Sequence, residues 1–183
     1  MQRGWCVRGT EHASCRSAWR ERAVIASLRW SEVDTNSGLI ILPAARTKNR
    51  LEHDVPLSPA ATVILTGTPR RAGRDLVFGE GVGGFSGWSL AKAALDKRLP
   101  IKPWRLHDLR RTAATRMGDL GVLPHVIEAV LNHISGHKAG VAGIDNRATY
   151  AAEKRAALVM WGNHVRTLLA KAQGANVMAL KRA

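Results

Sequence analysis

Leu106, Leu109, Ala113 and Met117 recur at i, i+3, i+7 and i+11, the run stops at Gly121, and Pro124 opens a second apolar series. That spacing is the period of a helix with one buried face. A glycine after the last periodic residue is a stop signal, and a proline at a first helical position is a start signal. Two helices joined by a short turn are therefore predicted, the second burying Val126, Ile127, Val130, Leu131 and Ile134. A stripe of this kind has to be covered, so the chain must be built largely from packed helices. With 183 residues, 45% of them hydrophobic, it has the apolar material for one folded core.

The segment before this pair changes period. Val24, Ile25 and Leu28 keep helical spacing, and Val33 to Gly38 reads as a strand end and turn. Leu39–Leu42 is a short β-prone run, and His53 to Leu57 reads as its returning strand. Residues 31–57 are thus expected to form a small antiparallel sheet with Lys48 near a hairpin tip. Ser58-Pro59 caps and opens a helix to about Leu65. Asp75–Phe78 reads as a short strand, and the glycine-rich stretch 79–87 as a connection without the ending of a phosphate loop. A helix is expected over Ser89–Leu99, a glycine-rich loop over 136–143, and a last helix from about Arg147 to Ala172 with Leu158, Val165 and Leu169 facing inward. The fold class is α+β, mainly α with a small antiparallel sheet. Residues 1–22 are expected to be an atypical N-terminal segment of the kind a misframed reading gives, 23–172 the folded domain and 173–183 a basic tail.

Charge narrows the partner. Lys and Arg number 28 against 14 Asp and Glu, a formal charge of +14 spread along the chain, and nucleic acid is the commonest soluble polyanion. The two cysteines, Cys6 and Cys15, cannot make a disulfide framework, and with His12 they match no common zinc spacing. Unpaired thiols in a reducing cytoplasm are expected. No apolar run approaches the roughly 20 residues of a membrane span.

His107 and Arg110, three apart on one helix, share a face beside the apolar stripe. His133 ends the following helix, and Lys48 sits on the hairpin. Arginine offers a planar fork to two phosphate oxygens, while lysine and histidine can move protons to and from bridging ones. Such a set suits a phosphodiester. No acidic cluster is present to hold a metal pair. Taken singly, His107 and Arg110 could equally be a cap and a surface charge. His133 and His137 have the i, i+4 spacing of a metal site, but no Glu lies between them and Gly136 breaks the helix.

The run His107-Asp108-Leu109-Arg110-Arg111-Thr112-Ala113-Ala114-Thr115, followed by Leu131-Asn132-His133, resembles the tyrosine recombinase (phage integrase) family. Leu28–Asp34 resembles that family's entry into the sheet, Arg46–Arg50 its lysine hairpin and Val55–Ser58 its strand exit. The likeness covers about Val24 to Val165, and the insert Ser135–Ile144 resembles integrases of prophages and genomic islands. It implies the fold of the C-terminal catalytic domain and a reaction without metal, ATP or other cofactor. A tyrosine attacks the scissile phosphate, forms a 3′-phosphotyrosyl link and releases a 5′-hydroxyl that later attacks the partner strand. In that mapping Arg110 is the second arginine of a pair, His107 and His133 are the histidines, and Lys48 protonates the leaving oxygen. The resemblance also implies double-stranded DNA as partner, a homo-oligomer on DNA, no membrane and a cytoplasmic setting.

Two positions depart from the family. Glu21 stands where its first arginine is expected, outside any Thr-Gly turn, with Arg20 and Arg22 beside it. Asp145 stands at the tyrosine position, and Tyr150, the chain's one tyrosine, lies five residues on. Tyr150 is the candidate nucleophile; as a bland alternative it is a packing residue on the last helix. The leader and the lack of a separate helical DNA-binding half are expected of a chain truncated at its N-terminus, with weak, salt-sensitive DNA binding. Two functions stay open, a site-specific recombinase catalytic domain and an inactive DNA-binding remnant of one. A basic RNA-binding protein ranks below both, for want of aromatic stacking motifs.

Overall fold

A computed structural model describes residues 23–101, 103–133 and 149–172. The expected leader, the loop 136–143, Glu21, Ile134, Asp145 and the basic tail lie outside the described residues. The fold is mainly helical with a small antiparallel sheet. Strands β1 (Val33–Asp34), β2 (Leu39–Leu42) and β3 (His53–Pro56) lie in that order. Val33 pairs with Ile40, and Leu42 with His53. The β1–β2 turn is built by Asp34, whose carboxylate accepts from the Asn36 and Ser37 amides and the Ser37 hydroxyl. Those bonds, the Ser37 hydroxyl first, hold the Asp34 carboxyl below its ordinary pKa.

Among the described residues five helices follow. In α1 (Pro59–Thr66) the Ser58 hydroxyl accepts from the Ala61 amide and Pro59 occupies the first position. Next come α2 (Trp88–Asp96), α3 (Leu106–Asp119), α4 (Pro124–Val130) and α5 (Ala151–Ala172). α3 ends as its glycine predicts: Gly121 has φ +88°, its amide donates to the Gly118 carbonyl, and the Val122 amide donates to the Met117 carbonyl. This is a Schellman ending, in which a left-handed residue turns the chain and satisfies the last carbonyls.

Among the described residues two apolar clusters form the core. Leu28, Val33, Leu42, Leu57, Leu65 and Val77 pack between the sheet and α1, and Met117, Val126 and Ala157 join α3, α4 and α5. α5 packs on β3, α1, α3 and α4 and so spans both. Gly162 lets it approach: a Cβ there would lie 3.0 Å from the Ser58 Cβ at the start of α1.

Four expectations are corrected. Leu109 is 58% exposed, and the inward line on α3 runs through Leu106, Arg110, Ala113 and Met117, with Met117 1% exposed. Arg110 can occupy that line because its Nη2 donates to the Leu131 carbonyl at 2.8 Å. Asp75–Phe78 is no sheet strand. A single bridge pairs Leu76 with Arg29, held by the amides of Trp30 and Val77 bonding the carbonyls of Asp75 and Leu28. α5 begins at Ala151, after a Tyr150 with φ +49°, so Tyr150 precedes the last helix and does not pack from within it. Leu169 is exposed, because the end of α5 runs beyond the core.

Candidate active site

The site lies in the seam between the two clusters. A cavity of about 640 Å³ is walled by residues from four parts of the sequence: the segment 23–27, the β2–β3 hairpin, Arg110 of α3, and Val130 to His133 at the end of α4. Lys48, Arg110 and His133 therefore share one wall system although 62 and 23 positions separate them in turn. His107 and Tyr150 are not among the described residues that line this cavity. His107 is half-buried in the first turn of α3, and the Tyr150 ring lies 5.0 Å from that of His125.

Each wall is set by local chemistry. The hairpin tip is braced from within: the Thr47 hydroxyl donates to the Leu51 carbonyl at 2.6 Å, and the Asn49 side-chain oxygen accepts from the Leu51 amide at 3.2 Å. Lys48, exposed, projects from this brace. At the far wall, α4 ends in a second Schellman motif. Asn132 has φ +49°, its amide donates to the Ala129 carbonyl, and the His133 amide donates to the Glu128 carbonyl. Asparagine is one of the few residues other than glycine that adopts this conformation readily. The Leu-Asn-His run is thus a helix ending that sets His133 on the cavity rim.

Below the tip, Arg46 ties the hairpin to the start of the described chain. It is ion-paired to Glu32, which is 7% exposed, and its Nη2 donates to the Val24 carbonyl at 3.0 Å and the Ser27 hydroxyl at 2.8 Å. The Glu32 carboxylate also accepts from the Arg29 amide. Opposite, Lys154 of α5 is 6% exposed and donates to the Asp54 carbonyl at 2.8 Å. Burial first, and then the Lys154 charge, lower the pKa of His53 to about 4, while a hydrogen bond with the Val130 backbone works the other way. His53 is thus a neutral imidazole in the cavity wall at pH 7.

Sequence reading passed over His53, Arg46, Glu32, Lys154 and the Asn49–Asn132 contact. His53 had a usable signal, since on a strand of period two it shares a face with Val55, and both line the cavity. The others have none: their partners lie 14 to 100 positions away. Among the described residues no three His, Cys, Asp or Glu side chains converge as metal ligands.

The model of the phage integrase family matches residues 22–140, about two thirds of the chain, spanning the sheet, the hairpin and α3–α4. The chain belongs to the phage integrase family. It is 33% identical over 147 residues to the prophage integrase IntA of Escherichia coli K12, covering 79% of this chain and 35% of that protein. To the shufflon-specific DNA recombinase of Escherichia coli it is 36% identical over 129 residues, covering 70% of this chain and 31% of that one. This integrase-family chain thus spans about a third of the length of these relatives. Its fold is similar to that of the integrase from mycobacterium phage Brujita, with a TM-score of 0.56 and 17% identity over 85% of this chain and 53% of that one.

Proposed function

We propose that residues 23–172 form the catalytic unit of a site-specific DNA recombinase that cuts and rejoins duplex DNA in the integration or excision of mobile DNA. The observation that carries this reading is the shared cavity of Lys48, Arg110 and His133 in an integrase-family fold. Arg110 grips a phosphate oxygen, and the cationic surroundings stabilise the charge that builds on the phosphorane-like transition state. The Tyr150 phenol attacks phosphorus, a histidine (His107 or His133) receives the phenolic proton, and Lys48 gives a proton to the departing 5′-oxygen. No helix among the described residues is long and apolar enough to cross a membrane. DNA is the partner, and a homo-oligomer assembles on it.

The second reading, a DNA-binding remnant without chemistry, is favoured by Asp145 at the tyrosine position and by the Tyr150 ring against His125. A nicked duplex that traps the covalent intermediate separates the two. Catalysis gives a protein–DNA adduct that survives denaturation and is lost in Tyr150→Phe. Salt-sensitive binding with no adduct would leave only the remnant.

A further inference from the structure

Lys48 is at an exposed hairpin tip, yet the neighbouring residue reaches Asn132 in the cavity wall at the end of α4. The Asn49 Nδ2 donates to the Asn132 Oδ1 at 2.7 Å, and the Asn132 Nδ2 returns a longer bond of 3.4 Å to the Asn49 Oδ1. This reciprocal amide contact joins positions 83 residues apart, and each amide is the immediate neighbour of a site residue: Asn49 of Lys48, Asn132 of His133. Both are half-buried. The rest of the end of α4 is fixed independently, the Leu131 carbonyl by Arg110 and the His133 amide by the Glu128 carbonyl. The bonds of Thr47 and Asn49 described above brace the hairpin tip from within, and Arg46 below it ties the hairpin to residues 24–32 and not to α4. The amide pair is therefore where a self-contained tip is registered against a fixed helix end.

We propose that Asn49 and Asn132 are positioning residues, an amide clasp that holds the lysine hairpin against the end of α4 so that Lys48 meets the phosphate bound by Arg110. The inference rests on the reading of Lys48 as the donor of the proton to the leaving 5′-oxygen. The clasp touches no reacting atom. Loss of it lets the tip drift, which lowers the fraction of time Lys48 is in reach and leaves phosphate binding by Arg110 intact.

Asn132→Gly removes the amide and keeps a residue at ease with φ +49°, so the helix ending survives. Asn49→Ala removes the other half of the clasp together with the Asn49 bond to the Leu51 amide inside the tip. Two measurements on the full chain decide the matter. In Asn132→Gly, amide hydrogen exchange over residues 47–51 is expected to rise about two- to tenfold, the worth of one or two modest hydrogen bonds, with exchange at Met117 unchanged. Adduct formation on the nicked duplex is expected to slow in both variants, at least as much in Asn49→Ala as in Asn132→Gly, through the rate constant and not the DNA affinity. The slowing should vanish when sulfur replaces the bridging 5′-oxygen, because a thiol ionises at about pH 8.5 and leaves without a donated proton. Unchanged exchange over 47–51, or equal slowing on the oxygen and sulfur substrates, would overturn the clasp. Failure of the unaltered chain to form any adduct would strike the catalytic reading alone, and the exchange result would still decide the contact.

Discussion

His53 shows how a single side chain can carry pH dependence without joining the chemistry. Its pKa is about 4 in the fold and near 6.5 in an unfolded chain. Between those values the unfolded state binds more protons, so stability is complete above about pH 6.5 and declines as pH falls toward 4. Asp54 and Arg110 also bear on the ring, the first favouring its charged form and the second opposing it. The loss should amount to about 1–2 kcal/mol, below the full shift because the ring is only part-buried. Urea unfolding at pH 7 and pH 4.5 will show it, and His53→Gln should flatten the difference. Arg46 is a structural hub of a different kind. Arg46→Ala leaves the Glu32 carboxylate buried without its cation, and a loss of about 3 kcal/mol is expected in the same assay. Arg46→Ala together with Glu32→Gln should recover much of it, since the cost lies in the orphaned charge.

At the scale of elements, α5 is the beam on which the others rest, and Gly162 sets how closely it lies on α1. Gly162→Ala would gain about 1 kcal/mol of helix propensity on an isolated helix. In the protein the new Cβ meets the Ser58 Cβ at 3.0 Å and its Oγ at 3.1 Å, and that hydroxyl is already committed to capping α1. We therefore expect a net loss of about 1 kcal/mol, seen as a lower Tm. Lys154 fastens the same helix to β3. Lys154→Met should cost about 1.5–3 kcal/mol by removing a charged hydrogen bond to the Asp54 carbonyl, while conserving the buried stem. Element boundaries were legible where the chain announces them by special backbone chemistry: Ser58-Pro59, Gly121 and Pro124 all mark the ends they predict. They were not legible at Tyr150, where a non-glycine residue takes φ +49° and the expected helix starts later. Asp75–Phe78 has the composition of a strand but finds a bridge to Arg29 in place of a sheet neighbour.

For the whole molecule, a formal charge of +14 predicts DNA affinity that falls steeply with salt. Arg110→Ala and Lys48→Ala should each reduce the slope of log K against log salt by about 1 if the side chain meets a phosphate, measurable by fluorescence anisotropy at several salt concentrations. Unchanged slopes would place the DNA track elsewhere. The sequence by itself determined the class of the fold, since helical spacing and a short β-prone hairpin are local properties of neighbouring residues. It determined the family too, because the motif residues recur in a fixed order along the chain. Which face of α3 points inward was decided by tertiary structure: the helical period allowed Leu109, but a carbonyl at the end of α4 made room for Arg110. The same holds for the convergence of Lys48, Arg110 and His133 on one cavity, the amide pair of Asn49 and Asn132, and the neutral state of His53. Each depends on a partner far away in the chain, and distance through space is not encoded by spacing in a single sequence.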